Sequence, residues 1–323
     1  MFFHLLNNYS IKKYKLNPIQ NNILKIPSND FMYSIKVSNG IILENGSILD
    51  KENNIHLHYN KWYNKSYNLD KISIEYSNYN ILSLIQIYND YFQHITFDTL
   101  TKIPFIIDLL KDESILILVM SNIQKQLLCN FGIDSDRIII RQHCKSFCTK
   151  NAYYMNFINS DNKIVCMGSC GSNLLNNYLS SDNNCNYIVY LSRGNRCRSL
   201  FNDQKNQFID GLKILARKYN KQFKLYTDPK NIDELKYVLS KSCLLISPHG
   251  GALGNIIWCN KQTNVIEFIS YKKLKERPCF YYLSEACGIK YHYIEPISFN
   301  FDKRISIDVN LSINIIDKIL SEN

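Results

Sequence analysis

The sequence predicts an α/β protein with two domains, and three observations support this prediction. Short apolar stretches of strand length alternate with amphipathic stretches of helical period over most of the 323 residues. A strand, a His-Gly-Gly turn, a helix start and a second strand follow one another between Leu244 and Ile269, as in a βαβ unit. The length and a hydrophobic content of 46% are sufficient for two separate cores.

The first half opens with a β-rich section over about residues 1–80, where strand-like stretches are separated by Asn and Gly turns. From Ile81 to Leu110 apolar residues recur at helical spacing, and Pro104 predicts a break between two helices. The remaining predicted elements are a strand over 115–120, a helix over 121–132 and a strand over 137–141.

Residues 149–186 are rich in Asn, Ser and Asp, which favours a domain boundary, and we expect domains at 1–165 and 166–323. The second half predicts a doubly wound sheet, whose ligands bind beyond the carboxyl ends of the strands. Its predicted elements are strands over 186–193, 222–227, 243–248, 264–269 and 290–296, and helices over 202–220, 231–242, 278–288 and after Asp308.

The His249-Gly250-Gly251 turn has the features of an anion site. Pro248 ends the strand, and two residues without a Cβ let the backbone approach a ligand closely. The helix that follows would direct free N–H groups and its positive dipole end into the turn. The alternative is that the glycines only close a tight connection. The chain has neither a Walker loop nor a GxGxxG fingerprint at this turn.

An arginine cluster follows the strand that ends near Ser192. Guanidinium groups at Arg193 and Arg198 can pair with a diphosphate and stabilise charge that develops on it. An exposed arginine-rich turn is the alternative, and it is the preferred interpretation for Arg196.

The overall composition restricts the class of protein. An excess of ten positive charges indicates an anionic partner, but the basic residues are not interleaved with aromatic residues as in nucleic-acid-binding proteins. Eleven irregularly spaced cysteines favour neither a disulfide framework nor a zinc site. We find neither a signal-peptide pattern nor an apolar run long enough to span a membrane, and we expect a cytoplasmic protein.

Four segments in this order carry a resemblance to a known family: HITFDTL at 94–100, the Ser-Arg segment that ends at Asp203, PHGGALGNIIW from Pro248, and VIEF. The chain resembles glycosyltransferase family 61, whose members include enzymes that add xylose or N-acetylglucosamine. The resemblance covers roughly residues 35–295 in its order of elements. The family's usual turn is HGAGL with an Asn two residues on, whereas here Gly251 and Ala252 are exchanged.

The resemblance implies a GT-B architecture, in which two Rossmann-like domains face a cleft. It implies that the N-terminal domain binds the acceptor and the C-terminal domain binds a nucleoside-diphosphate sugar, for which we expect a UDP-sugar. The implied reaction is inverting transfer to a hydroxyl of a glycan, a lipid-linked sugar or a protein. The alternative is a nucleotide-binding module that has lost catalysis and serves as a binding partner.

The resemblance also implies roles for particular residues. Arg193, Arg198 and the turn would hold the diphosphate, His249 would donate to a phosphate or sugar oxygen, and Glu267 would accept from ribose hydroxyls. The full predicted donor-binding set is Arg193, Arg198, Asn202, His249, Gly250, Gly251, Ala252, Leu253, Asn255 and Glu267.

The general base is expected at His94, with Asp98 one helical turn later to orient it and raise its basicity. A histidine that only packs at a domain interface is an equal alternative, and His143 is a further candidate with weaker support. No metal or other cofactor is required by this account. Asp134-Ser135-Asp136 resembles a manganese-binding DxD motif, but its position in a turn favours ordinary capping.

Overall fold

The computed structural model describes residues 22–25, 31–44, 46–52, 55–57, 72–85, 95, 99–141, 145–158, 185–227, 229 and 231–322. The chain divides into two compact units, Met1–Gly171 and Ser172–Asn323. Both units contain β-sheet and α-helix, so the predicted α/β class is confirmed.

The first unit contains two sheets, of six and five strands, and two described α-helices. Its strands are β1 (Asn22–Lys25), β2 (Phe31–Ser38), β3 (Ile41–Ile42), β4 (Ile48–Leu49), β5 (Ile55–Leu57), β6 (Ile72–Ser73), β7 (Asn80–Ser83), β8 (Ile115–Val119), β9 (Ile138–Ile140), β10 (Ser146–Cys148) and β11 (Asn151–Ile158). Its helices are α1 (Ile103–Lys111) and α2 (Asn122–Cys129).

The strand orders of the first unit are β1-β2-β11-β7-β8-β9 and β5-β4-β3-β10-β6. In the larger sheet β11, β7, β8 and β9 run parallel to one another, while β1 and β11 pair with β2 antiparallel. The larger sheet is therefore mixed.

One expectation for this unit is wrong. The apolar residues after Asn80 form strand β7 and not a helix, because a short apolar run buried on both faces carries no period that separates the two structures. Residues 151–158 form β11 between β2 and β7, a strand that was not predicted. Pro104 stands in the first turn of α1, where its missing N–H costs nothing.

The second unit alternates strand and helix along the chain. Its elements are β12 (Tyr187–Ser192), α3 (Asn202–Lys218), β13 (Gln222–Thr227), α4 (Ile232–Ser240), β14 (Ser242–Pro248), a 3-10 helix (Gly251–Trp258), β15 (Asn264–Phe268), α5 (Tyr271–Glu276), α6 (Cys279–Ala286), β16 (Lys290–Ile294) and α7 (Val309–Ser321). The predicted strands of this half are confirmed, as are its predicted helices over 202–220, 231–242, 278–288 and after Asp308, while α5 was not predicted.

Caps fix the starts of two helices in this unit. The Asn231 side chain caps α4 by accepting a hydrogen bond from the Glu234 amide at 3.0 Å. Asp308 caps α7 by accepting from the Leu311 amide at 2.9 Å.

The sheet of the second unit is parallel throughout, in the order β13-β12-β14-β15-β16. Strand β12 is the first strand of this unit along the chain. It lies between β13, the second strand, and β14, the third. The connections that leave β12 and β14 diverge at this point, and such a switch point opens a crevice at the carboxyl edge of the sheet. The topology thus locates the crevice next to Ser192 and Pro248.

Helices α3 and α7 cover one face of this sheet. Phe208 of α3 is fully buried, with its ring edge-on to Tyr190 at 5.5 Å and to Phe268 at 5.4 Å between centroids. Ile316 of α7 belongs to the same apolar cluster. Alternate residues of β12, such as Val189, are also buried, and α4 contacts β12 and β14, so both faces of the sheet are covered.

We expect Phe208→Ala to lower the free energy of unfolding of the second unit by about 3–5 kcal/mol, because it leaves a cavity between two strands and α3. Urea unfolding followed by Trp258 fluorescence in a Trp62→Phe background measures this change, since the chain has two tryptophans. Ile214→Ala on the same helix is the control, because Ile214 is 60% exposed and should shift stability by at most about 0.5 kcal/mol. Equal losses in both variants would contradict the packing described above.

Candidate functional site

The candidate site lies at the switch point of the second unit. Arg193 follows the last residue of β12, and His249 follows the last residue of β14. These two strands are neighbours and run parallel, so both residues emerge at the same edge of the sheet. The structure therefore brings together the two segments that the sequence analysis singled out.

Arg193 is held against the glycine turn. Its Nε donates to the Cys197 carbonyl at 2.9 Å, and its Nη1 lies so near Gly250 that a Cβ on that residue would be 1.6 Å away. Only glycine is compatible with this approach. Burial lowers the pKa of the Arg193 guanidinium, and the charge of Arg198 lowers it further. No carboxylate among the described residues forms an ion pair with Arg193, so its charge is available to an anion.

The turn itself leads into a 3-10 helix, not the α-helix that the sequence suggested. The Leu253 amide donates to the Gly250 carbonyl at 2.9 Å, and the Asn255 side chain donates to the Ala252 carbonyl at 2.9 Å. Within the described part of the chain, the amides of Gly250, Gly251 and Ala252 have no hydrogen-bond acceptor. Three unpaired donors beside a guanidinium form an arrangement that suits a phosphate group.

The His249 side chain is fixed by a buried hydrogen-bond chain. Its Nδ1 is hydrogen-bonded to Oε1 of Glu267, and Oε2 of Glu267 accepts a hydrogen bond from the Tyr291 hydroxyl at 2.5 Å. His249 is 5% exposed and Glu267 is 1% exposed. Burial, followed by the charge of Glu267, raises the pKa of Tyr291, so the phenol keeps its proton and donates.

Three phenylalanine rings surround the imidazole. The centroids of Phe280 and Phe301 lie 5.4 Å from that of His249, and Phe299 lies at 6.4 Å, all edge-on. Phe299 and Phe301 come from the segment between β16 and α7, which therefore covers the turn. Apolar surroundings strengthen the hydrogen bonds that His249 makes.

Arg198 makes a cation–π contact with the Phe301 ring. Lys273 and Arg277, which were not predicted from the sequence, contact the same ring. The guanidinium carbon of Arg198 lies 5.4 Å from the ring centroid, that of Arg277 lies at 4.6 Å, and Nζ of Lys273 lies at 5.6 Å. One carboxylate, Glu276, pairs with Lys273. The signal that could have found Lys273 and Arg277 is the basic run KKLKER just beyond strand β15.

Arg198 also has an unusual backbone. Its φ of 64° lies in the left-handed region, which is uncommon for arginine, and its amide donates to the Lys303 carbonyl at 2.6 Å. Its Nε is buried without a partner among the described residues. Such outliers are concentrated at functional sites, where surrounding contacts hold them in place.

Some predicted site residues lie elsewhere. His94, Asp98 and His143 are outside the described residues. Asn202 is the first residue of α3 and is exposed. Leu253 is fully buried and can serve the site only through its backbone.

Two further residues have local partners. Asn255 has a buried Oδ1 without a partner in the described part of the chain, while its amide nitrogen supports the turn. Asp134 caps a 3-10 helix by accepting from the Asp136 amide at 2.9 Å, in agreement with the capping interpretation of the DxD sequence.

Both carboxylate oxygens of Glu267 already accept hydrogen bonds, so its role toward ribose stays a prediction.

The fold and the site define an α/β protein whose parallel sheet has a switch point of the kind that nucleotide-binding sheets have. The family model Glycosyltransferase 61 matches residues 92–266, which is more than half of the chain. The chain therefore belongs to glycosyltransferase family 61, and the resemblance found in the sequence is confirmed. No curated protein sequence matches the chain.

The matched range contains both Arg193 and His249 and ends one residue before Glu267. Enzymes of such a family transfer a sugar from a donor to an acceptor. Among the helices described here, none combines the length and apolar character that crossing a membrane requires.

We expect Gly250→Ala to weaken the binding of UDP by roughly tenfold or more, because the new Cβ displaces the Arg193 guanidinium from the turn. Titration calorimetry of the full chain measures the affinity. The control is the same substitution in an Arg193→Ala background, where it should have little further effect. Additive losses in the double variant would show that Gly250 acts independently of Arg193.

Proposed function

We propose that the protein is an inverting glycosyltransferase that moves a sugar from a nucleoside-diphosphate sugar, with UDP as the expected nucleotide, to a hydroxyl of a glycan, lipid or protein acceptor. The observation that carries this proposal is the contact of Arg193 with Gly250 at the switch point of a parallel sheet. A guanidinium and three backbone amides without partners in the described part of the chain lie together in this turn, and a leaving diphosphate requires such donors.

The proposed reaction exchanges one bond at the anomeric carbon for another. The acceptor oxygen forms a bond to this carbon from the face opposite the diphosphate, while the bond to the phosphate oxygen breaks. The electron pair of the broken bond stays on the diphosphate, and the hydroxyl proton passes to a general base. For that base, His94 oriented by Asp98 remains our proposal, with His143 as the weaker alternative.

The charge that develops on the leaving group is met by side chains of the second unit. Arg193 and Arg198 would pair with the phosphate oxygens, and His249 would donate to a phosphate or sugar oxygen. Lys273 and Arg277 add positive charge beside Phe301, the ring that Arg198 also contacts. Four cations near one edge of the sheet supply the positive charge that a metal ion provides in other transferases, so we propose a reaction that requires no metal.

We also propose the GT-B arrangement, with the donor on the C-terminal domain and the acceptor on the N-terminal domain, and with domains over 1–165 and 166–323. The family membership supports this arrangement, as does the nucleotide-binding strand order of the second unit.

A panel of nucleotide sugars incubated with the full chain and several acceptor classes tests the function. We expect a transferred sugar and release of UDP, with NMR of the product showing the anomeric configuration opposite to that of the donor. Retention of configuration would overturn the inverting mechanism. Binding of UDP without transfer to any acceptor would support a non-catalytic nucleotide-binding module instead.

If Arg193 neutralises the leaving diphosphate, Arg193→Ala should lower turnover by about a hundredfold or more, while circular dichroism shows an intact fold. Arg196→Ala is the matched control, because Arg196 lies in the same loop but is exposed. We expect it to keep wild-type turnover within about threefold. Wild-type turnover in Arg193→Ala would remove this residue from the mechanism.

A further inference from the structure

The buried chain Tyr291–Glu267–His249 joins three neighbouring segments of the sheet. Tyr291 lies in β16, Glu267 lies in β15 next to it, and His249 follows β14 on the other side of β15. Because these strands pair in a fixed parallel register, the backbones that carry the three side chains cannot shift relative to one another without breaking the sheet.

The direction of each hydrogen bond follows from the chemistry of the groups. The Tyr291 hydroxyl can only donate to a carboxylate, and its pKa is raised by burial and by Glu267, so its proton stays on the phenol. The carboxylate then accepts at its other oxygen as well, which places a proton on Nδ1 of His249. The remaining ring nitrogen, Nε2, donates to a phosphate oxygen when the imidazole carries a proton on both nitrogens, as an imidazolium paired with the Glu267 carboxylate.

The surroundings of His249 make this orientation hard to change. Glu267 is 1% exposed, and a carboxylate without hydrogen-bond donors at that depth would be strongly destabilising. Rotation of the imidazole would remove one of the two donors to the Glu267 carboxylate, and the rings of Phe280 and Phe301 lie edge-on to the imidazole. The orientation of His249 is therefore set by residues that have no need to touch a ligand.

We propose that Tyr291 and Glu267 are positioning residues, which hold His249 so that Nε2 faces the leaving diphosphate. The inference rests on the proposed function for the identity of the ligand, whereas the hydrogen-bond chain can be tested without any substrate. It replaces the ribose role considered for Glu267 with a role that acts through His249.

The first test observes the chain directly by NMR of the full protein with 15N-labelled histidine. We expect a downfield Nδ1–H resonance that disappears in His249→Gln, which assigns it. Tyr291→Phe should shift this resonance, and Glu267→Gln should move it upfield, because a neutral amide is a weaker acceptor than a carboxylate. The matched control is Tyr226→Phe, which removes another Tyr–Glu hydrogen bond. Tyr226 lies in β13, the edge strand opposite β16, so this variant should leave the resonance unchanged.

The second test separates positioning from binding by kinetics. In Tyr291→Phe and Glu267→Gln we expect kcat to fall by about 10- to 100-fold with a smaller change in the donor KM, while Tyr226→Phe keeps both values. Tyr291→Phe preserves the ring and its packing, so its effect reports on the hydroxyl alone.

The outcomes distinguish this inference from the proposed function. A wild-type protein that transfers no sugar would overturn the function, and the NMR experiment would still decide the hydrogen-bond chain. An active wild type with unchanged kcat in both variants, or a histidine resonance insensitive to both, would overturn the positioning roles of Tyr291 and Glu267.

Discussion

The buried carboxylate of Glu267, near the carboxyl ends of the parallel strands, determines the arrangement of the candidate site. Glu267 lies in β15, the strand between β14 and β16, and it is almost completely shielded from water. A carboxylate in this position is tolerated only when its oxygens accept hydrogen bonds, which the Tyr291 hydroxyl and the His249 ring provide. Because the Glu267 carboxylate requires His249 as a hydrogen-bond donor, it fixes the position of this residue, which begins the glycine turn.

The remaining parts of the site follow from the fixed position of His249. The next residue, Gly250, leaves room for the Arg193 guanidinium, and the amides beyond it stay without partners in the described part of the chain. The Phe301 ring lies edge-on to the imidazole. The guanidinium groups of Arg198 and Arg277 make cation–π contacts with the same ring. Cations held this closely repel one another, and an anion in their midst removes the repulsion, which is why the region suits a diphosphate.

The sequence was sufficient to predict the elements of the second unit and the position of its turn, because apolar period, caps and glycines are local signals. It could not pair Glu267 with Tyr291, which lies 24 residues later and carries no motif. The convergence of Lys273 and Arg277 on Phe301 is likewise a contact between distant segments. In the first unit, β11 escaped prediction because its Asn-rich flanks resemble a linker, while its central position in the sheet depends on partners far away in sequence.

The exchange of Gly251 and Ala252 relative to the family's usual HGAGL order can be judged from the backbone. Gly250, which both orders retain, is the position where a Cβ would collide with Arg193. Gly251 has no positive φ and lies in the 3-10 helix, so alanine and glycine are both compatible with its conformation. Ala252 contributes its carbonyl to Asn255, and a backbone carbonyl is present whichever residue stands there. The exchange therefore leaves in place the glycine whose missing Cβ makes room for Arg193.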